Sequence, residues 1–245
     1  MKYFLLVTFL LISPMTAKSD PIKLVFSDSY VPMSWDSSGK MRGIIIDVLN
    51  ATLKKNMGMV VQYKGYPWAR AQSEVRKGIS DAFVTVPTKA RLEYTTCSTE
   101  PVIVTEVSIY AYANHPRKNE LLSVKSYDDL DSYVLVDYLG NGWAKGKFKD
   151  LNVIWAETLE QTYKLLVAKR ADIVVRNSFN FDYFSRHLDI RDKIEKMPAI
   201  LSSVNFHLCI RKSSEHVAIL PAFDAVMKEM RETGRINEIT ADYGN

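Results

Sequence analysis

Residues 66–101, YPWARAQSEVRKGISDAFVTVPTKARLEYTTCSTEP, contain the pattern that decides the fold. Trp68 follows a proline at the predicted start of a helix that runs to Lys77. A Gly-x-x-Asp-Ala turn then leads into a predicted strand at residues 80–84, and Arg91 follows beyond that strand. A helix followed by a strand in this way indicates α/β structure. The spacing brings an aromatic surface and a cation together at one edge of a sheet.

The same alternation of short apolar strands and helical patterns extends over most of the chain. Strands are predicted at residues 22–27, 60–63, 80–84, 134–136, 153–155 and 173–175. Helices are predicted at residues 43–56, 68–77, 142–149, 158–169 and 178–186, with further helical patterns at 217–230 and 236–243. Strands that alternate with helices predict an α/β fold, with parallel sheets that helices cover on both faces.

The first 18 residues are predicted to be a secretory signal peptide. Lys2 supplies a positive charge, residues 3–12 (YFLLVTFLLI) form an apolar segment, and the predicted cleavage point is at Thr16-Ala17. The apolar segment is shorter than the roughly 20 residues that a membrane-spanning helix needs, so it is interpreted as an export signal and not as an anchor. We therefore expect an exported protein.

Composition and charge exclude several classes of function. The formal charge of +4 arises from 32 basic and 28 acidic residues, and no basic run is dense enough to predict a nucleic-acid partner. The four histidines are scattered and there is no CxxC pattern, so neither a metal site nor a cofactor is predicted. Cys97 and Cys209 lie far apart in the sequence. Export permits a disulfide between them, and two buried thiols remain an equally open interpretation.

The stretch 66–101 resembles the ligand-facing part of the bacterial family 3 extracellular solute-binding proteins, the periplasmic receptors of polar amino-acid transporters. The resemblance extends over the order of elements from about residue 22 to residue 243. It implies a two-lobed periplasmic binding protein fold of type II, in which each lobe is a mostly parallel sheet flanked by helices. Two hinge strands, here the extended runs 102–112 and 204–210, would join the lobes.

The resemblance also implies how the chain divides between the lobes. Lobe 1 would consist of residues 19–109 and 206–245, and lobe 2 of residues 110–205. Periodicity alone supports only the α/β class.

Arg91 and Thr85 are the predicted carboxylate-binding residues. Residues 88–91 (TKAR) resemble the family's Thr-x-x-Arg, whose arginine holds the α-carboxylate of the ligand. A planar guanidinium suits this task because it forms two charge-assisted hydrogen bonds with a carboxylate. Thr85 directly follows the strand at 80–84, where its hydroxyl would bind the same group. A surface arginine and a threonine that caps the next turn are the structural alternatives.

Two aromatic residues and one polar turn complete the predicted site. Trp68 and Tyr30 match aromatic positions of the family, and would flank the ligand or contact a cation. Both also have an interpretation as core aromatics. Asn141 and Gly142 follow a predicted strand and open a helix, where backbone amides would bind an anion. The alternative for these two residues is an ordinary strand-to-helix turn.

Asn177 departs from the family pattern. Amino-acid receptors of this family usually have an aspartate at this point, and that carboxylate pairs with the α-ammonium of the ligand. Three explanations stay open. Another acid such as Asp182 or Glu157 replaces it, the ligand lacks an α-ammonium, or the correspondence is shifted by one or two positions. Arg176, beside it, would add positive charge if it points inward.

The resemblance predicts a periplasmic solute-binding protein and not an enzyme. It would capture a small polar, carboxylate-bearing ligand, an amino acid or a relative, by hinge closure. As a monomer, it would deliver this ligand to the membrane subunits of an ABC transporter. Two alternatives come from other classes: an orphan sensor that docks on a membrane protein, and a lyase similar to cyclohexadienyl dehydratase on the same fold.

Overall fold

The computed structural model describes residues 20–139 and 141–244, so the predicted signal peptide at residues 1–18 lies outside the described part. The strands are β1 (Ile22–Ser27), β2 (Ser29–Tyr30), β3 (Ser34–Ser37), β4 (Lys40–Arg42), β5 (Val61–Tyr66), β6 (Ala82–Thr85), β7 (Thr95–Cys97), β8 (Ile103–Tyr112), β9 (Leu135–Tyr138), β10 (Val153–Ala156), β11 (Ile173–Asn177) and β12 (Ile194–Arg211). The helices are α1 (Ile44–Leu49), α2 (Trp68–Arg76), α3 (Lys89–Leu92), α4 (Lys118–Leu121), α5 (Gly142–Lys147), α6 (Leu159–Val167), α7 (Ser178–His187), α8 (Leu220–Glu232) and α9 (Arg235–Gly244).

The main sheet is mixed and has nine strands. Eight of them follow the order β10-β9-β11-β8-β12-β6-β1-β5, and β7 also pairs with β12. Strands β5, β1 and β6 are mutually parallel and form the sheet of the first lobe. Strands β10, β9 and β11 are parallel and form the sheet of the second lobe. The predicted α/β class and the two-lobed arrangement are therefore confirmed.

Strands β8 and β12 pair with each other in the antiparallel direction between the two parallel sets. Strand β12 has 18 residues, and its later part also pairs with β6 of the first lobe, whereas β8 also pairs with β11 of the second. These two strands are the extended runs that the resemblance implied would join the lobes. Strand β12 begins ten residues before the predicted run 204–210. Shifts in the register between β12 and β8 interrupt the alternation of side chains in its first part, so the sequence pattern identifies only the later part.

Neighbouring residues of the parallel strands belong to different hydrophobic cores. In β1, Leu24 and Phe26 pack into one core with α1, α8 and α9, while Val25 packs into another core with α2. In β11, Val174 packs on the opposite face from its two neighbours. Successive side chains of a strand point to opposite faces, so helices cover both faces of each sheet.

Local sequence signals fix the start of two helices. Thr158 forms a capping box with Gln161 at the start of α6, which satisfies backbone groups that the first turn leaves free. Gly43 precedes α1 with a φ of 124°, and a Cβ there would lie 2.5 Å from the Met33 carbonyl oxygen. The helix predicted at 43–56 begins as α1 and continues as a π-helix over Asn50–Asn56.

A disulfide joins Cys97 and Cys209 in the first lobe. The two residues are directly opposite each other on the antiparallel strands β7 and β12, which brings together positions that are 112 residues apart. Cys209 is fully buried. Of the two interpretations left open by the sequence, the structure has the bonded one.

The sequence analysis did not predict the small antiparallel sheet of β2, β3 and β4. Its last turn contains Ser38 and Gly39, both with positive φ, and a Ser-Gly pair between short strands is a recognised hairpin signal. Among the described residues, no helix is long and apolar enough to span a membrane.

Candidate ligand-binding site

A cleft of about 1080 Å³ lies between the two lobes. The carboxyl ends of parallel strands from both lobes reach it: β1 ends at Ser27, β6 at Thr85, β9 at Tyr138 and β11 at Asn177. Ligands of open α/β sheets bind at such ends. The lining includes every residue that the sequence predicted for the site, namely Tyr30, Trp68, Thr85, Arg91, Asn141, Gly142 and Asn177.

Arg91 presents a charged guanidinium to the cleft from the first lobe. Its Nε donates to Gln72 Oε1 at 3.1 Å and its NH1 donates to the Val86 carbonyl oxygen at 2.8 Å. These two bonds hold the plane of the guanidinium and leave its NH2 group without a partner among the described residues. Burial lowers the pKa of Arg91 from its ordinary value, but an arginine stays protonated in proteins. No carboxylate of the described chain pairs with it.

Trp68 combines both roles that its sequence context allowed. One part of the indole packs edge-on against Phe83 of the first-lobe core, with 5.8 Å between ring centroids. The guanidinium of Arg91 lies 5.4 Å from the ring centroid, within the range of a cation–π contact. Trp68 is half-buried and lines the cleft, so it supports Arg91 and also offers apolar surface.

Arg176, on the second-lobe side of the cleft, has a carboxylate partner. Its NH1 and NH2 donate to the two oxygens of Asp137 at 2.7 and 3.0 Å, and both side chains are at least 95% buried. Burial alone would lower the pKa of Arg176, but the Asp137 carboxylate raises it above the ordinary value. Arg176 therefore points inward, which the sequence analysis had left undecided, and the Asp137 carboxylate neutralises its positive charge within the second lobe.

Asn141 uses its side chain to organise the second-lobe wall. Its Oδ1 accepts from the Ala144 backbone N–H at 3.1 Å, which caps α5. Its Nδ2 donates to both oxygens of Asp137, at 3.1 and 3.2 Å. Helix α5 has only six residues. For Asn141 and Gly142 the geometry therefore favours the structural alternative, an ordinary strand-to-helix turn, over direct binding of an anion.

Asn177 connects the two lobes across the cleft. Its Oδ1 accepts from the Asn180 backbone N–H at 2.9 Å and caps α7, and its Nδ2 donates to the Tyr30 hydroxyl at 3.2 Å. Burial raises the pKa of Tyr30 far above its ordinary value, so its hydroxyl keeps its proton. A second bond runs from Asn180 Nδ2 to the Val31 carbonyl oxygen, at 3.1 Å. Side chains of the protein itself therefore join the lobes.

Neither of the two acids suggested as replacements for the missing aspartate lines the cleft among the described residues. Asp182 is on α7, where burial raises its pKa, and Glu157 precedes α6 on an exposed turn. The explanation that Asp182 or Glu157 replaces the family's aspartate at Asn177 therefore has no support.

Several lining residues were missed by the sequence analysis. Gln72 is one helical turn after Trp68, a spacing that identifies the same face of α2 and was available from the sequence. His207 is on β12, and its Nδ1 donates to the Ser98 carbonyl oxygen at 2.9 Å. Thr105 is on β8, is 2% exposed, and has a hydroxyl without a hydrogen-bond partner among the described residues. Thr105 pairs with Val204 of β12 and His207 pairs with Thr85 of β6, so pairing between strands far apart in sequence brings the last two to the cleft.

The described residues contain no group of three histidine, cysteine, aspartate or glutamate side chains that could hold a metal ion. The cleft thus offers one arginine without a carboxylate, a set of hydroxyl and amide groups, and apolar walls. This arrangement is suited to binding a small anion that has apolar parts.

Comparisons with known proteins agree with this geometry. Residues 22–245 match the family described as bacterial extracellular solute-binding proteins, family 3. No curated protein matches the chain. Among solved structures, a histidine kinase sensor domain with similarity to periplasmic binding proteins is 18% identical with a TM-score of 0.69, over 92% of this chain and 96% of the other.

Two further solved structures are amino-acid-binding proteins. The ancestral amino acid-binding protein AncCDT-1, a precursor of cyclohexadienyl dehydratase, is 19% identical with a TM-score of 0.66 and covers 92% of this chain and 96% of its own. The arginine-, lysine-, histidine-binding protein ArtJ from Geobacillus stearothermophilus is 17% identical with a TM-score of 0.66, and the coverage is 91% and 95%. At these identities the likeness establishes the fold.

Proposed function

Because the chain belongs to family 3 of the bacterial extracellular solute-binding proteins, we propose that it captures a small carboxylate-bearing ligand in its cleft and delivers it to a membrane transporter. The observation that carries this proposal is Arg91, a charged guanidinium that lines the cleft without a carboxylate partner. A buried charge is normally paired in a folded protein. The ligand's carboxylate is the group that would complete this site.

The predicted site residues divide the work of ligand capture between the two lobes. Arg91 and the Thr85 hydroxyl bind the ligand's carboxylate from the first lobe. Trp68 contacts the body of the ligand beside the guanidinium. Tyr30 and Asn177 act together, since their hydrogen bond joins the lobes when the cleft is closed.

Asn141 and Gly142 hold the second-lobe wall in place. Asn141 does so through its bonds to Asp137 and to the first turn of α5, and Gly142 begins that helix. Their contribution to binding is therefore positioning and not direct contact with the carboxylate.

Hinge closure would couple binding to delivery. We assign lobe 1 to residues 19–109 and 206–245 and lobe 2 to residues 110–205, so the boundaries fall within β8 and β12. A ligand that contacts both walls stabilises the closed state by its differential contacts with that state. The closed form of an exported, periplasmic monomer would then dock on the membrane subunits of an ABC transporter.

Specific observations favour two alternatives. The similarity to a histidine kinase sensor domain favours a sensor that docks on a membrane protein. The similarity to a precursor of cyclohexadienyl dehydratase, together with His207 in the cleft, favours a lyase in which the imidazole acts as the base. Capture of a membrane kinase would support the sensor, and turnover of cyclic carboxylic acids would support the lyase. We propose binding without catalysis.

A thermal-shift screen against small carboxylates tests the proposed function. A ligand that binds the native state raises the melting temperature. The Arg91→Ala variant is expected to lose the response to any active carboxylate, whereas Arg70→Ala, whose arginine is exposed on α2 and pairs with Glu74, keeps it. An active carboxylate that shifts Arg91→Ala as much as the unmodified protein contradicts the assignment.

A further inference from the structure

The ionised side chains that line the cleft are basic. They are Arg91 and Arg176. All 28 aspartate and glutamate residues of the sequence fall within the described part, because residues 1–19, 140 and 245 include none. None of these acids belongs to the described lining.

Asp137, which contacts the lining residues Arg176, Asn141 and Tyr138, has its oxygens occupied. It accepts from Arg176 NH1 and NH2, from Asn141 Nδ2, and from the Tyr138 backbone N–H at 2.6 Å. The residue is 1% exposed. A carboxylate in this state cannot also pair with a cation of the ligand without breaking a bond to a buried arginine, which is costly.

The aromatic faces beside the two arginines are also in contact with cations. The guanidinium of Arg91 lies 5.4 Å from the Trp68 centroid, and that of Arg176 lies 5.6 Å from the Tyr138 centroid. A ligand ammonium would have to compete with the guanidinium that already lies against either ring. These rings are therefore not free to replace an acid through a cation–π contact.

Two buried polar groups of the lining have no hydrogen-bond partner among the described residues: Arg176 Nε and the Thr105 hydroxyl. The first can only donate, and the second can donate or accept. Both therefore suit a ligand with oxygen acceptors besides apolar surface. Apolar side chains such as Val107, Leu159 and Phe206 line the same cleft and match an uncharged ligand body.

Resting on the proposed function, we infer that the ligand is an organic anion without an ammonium group: a carboxylate with an uncharged, partly apolar body. Arg91 supplies the countercharge for its carboxylate. An α-amino acid would bring its ammonium into a cleft whose ionised lining residues are arginines. No carboxylate of the lining would pair with that ammonium and offset the free energy lost when it leaves water. A ligand that lacks an α-ammonium also explains why Asn177 stands where the family's amino-acid receptors usually have an aspartate.

Matched pairs of probes that differ only in the amino group test the inference. Isothermal titration calorimetry on the full chain would compare 3-phenylpropanoate with L-phenylalanine, and 4-methylpentanoate with L-leucine. We expect at least one deaminated acid to bind, with an affinity at least tenfold higher than that of its amino-acid partner. We also expect the Arg91→Ala variant to lose that binding.

The Asn177→Asp variant provides a second arm that adds the missing charge. Aspartate is as good an N-cap as asparagine, so α7 keeps its start. This variant should gain at least tenfold in affinity for the amino acid of a pair and lose affinity for the deaminated acid. Asn177→Ser is the matched control, because it keeps a capping oxygen without adding charge and should not gain affinity for the amino acid.

The outcomes separate this inference from the proposed function. If an amino acid binds the unmodified protein as tightly as its deaminated partner, and does so through Arg91, the inference is wrong and the proposed function stands. If the unmodified protein binds no probe but Asn177→Asp binds an amino acid, the charge argument is supported. Silence of both proteins towards all four probes overturns the inference, and the thermal-shift screen against other carboxylates then decides the proposed function separately.

Discussion

The two walls of the cleft hold their arginines in different ways. Arg91 of the first lobe is half-buried and is oriented by neutral acceptors, Gln72 and a backbone carbonyl. Arg176 of the second lobe is 5% exposed and is paired through two hydrogen bonds with Asp137. The comparison indicates that an arginine paired within the protein maintains the wall, while an arginine without an acid is available to a ligand.

The largest effect is expected from breaking the internal pair. Asp137→Ala leaves Arg176 buried without its carboxylate, and the free energy of unfolding should fall by about 3–5 kcal/mol. Urea denaturation followed by circular dichroism measures this change. Asp128→Ala, at an exposed acid of the same lobe, is the control. A loss below about 1 kcal/mol would mean that the pair does not stabilise the wall.

Removing the other arginine should affect binding and not stability. Arg91→Ala should lower the affinity for an active carboxylate by one to several decades, because breaking a desolvated charge pair costs about 2–5 kcal/mol. The free energy of unfolding should change far less than in Asp137→Ala, since Arg91 has no carboxylate partner in the described chain. Titration calorimetry and urea denaturation on the same preparation measure both quantities. Equal stability losses in the two variants would contradict the comparison.

The disulfide distinguishes the lobes in a second way. Replacing Cys97 and Cys209 with alanine should lower the free energy of unfolding by about 2–4 kcal/mol, because the unfolded chain loses a long closed loop. Hydrogen exchange should show the greater loss of amide protection in β6 and β7 than in β9 and β10, since the bond joins strands of the first lobe. The alanine variant should not respond to a reductant. Equal loss of protection in both lobes would mean that they unfold as one unit.

The smallest effect concerns the bond that joins the walls. Tyr30→Phe removes the acceptor of Asn177 Nδ2, and the free energy of unfolding should fall by about 0.5–1.5 kcal/mol. Tyr66→Phe is the control, because the Tyr66 hydroxyl makes no hydrogen bond within the described residues. Denaturation of the two variants side by side measures the difference. An equal change in both would show that the contact across the cleft contributes nothing to stability.

Much of the fold could be predicted because its signals are local. The predicted strand at 22–27 coincides with β1, and the helices predicted at 68–77 and 158–169 correspond to α2 and α6 within one or two residues at each end. Apolar runs, a capping threonine and a proline before a helix act over a few neighbouring residues. The rule that ligands bind at the carboxyl ends of strands then placed the candidate residues at one edge. Their direct contact with a ligand stays a prediction.

The other features arise from contacts between distant positions. Asp137 and Arg176 are 39 residues apart, and Tyr30 and Asn177 are 147 residues apart, so no local pattern pairs them. The predicted strand at 134–136 stopped one residue before Asp137, which hid the acid at the end of β9. The resemblance implied that two extended runs join the lobes, but the antiparallel direction in which β8 and β12 pair was not predicted, because hydrophobic alternation does not specify the direction of a partner strand.

By itself the sequence determined the α/β class and the positions of most elements, whereas the group of candidate side chains came from the resemblance. The class and the element positions follow from periodicity and from turn and cap residues, whose energies depend on near neighbours. Only the tertiary structure decided that the two cysteines bond, that Asp137 neutralises Arg176, and that Arg91 lines the cleft without an acid. Charge pairing depends on distances of a few ångströms between residues far apart in sequence, and these distances exist only after the lobes have packed.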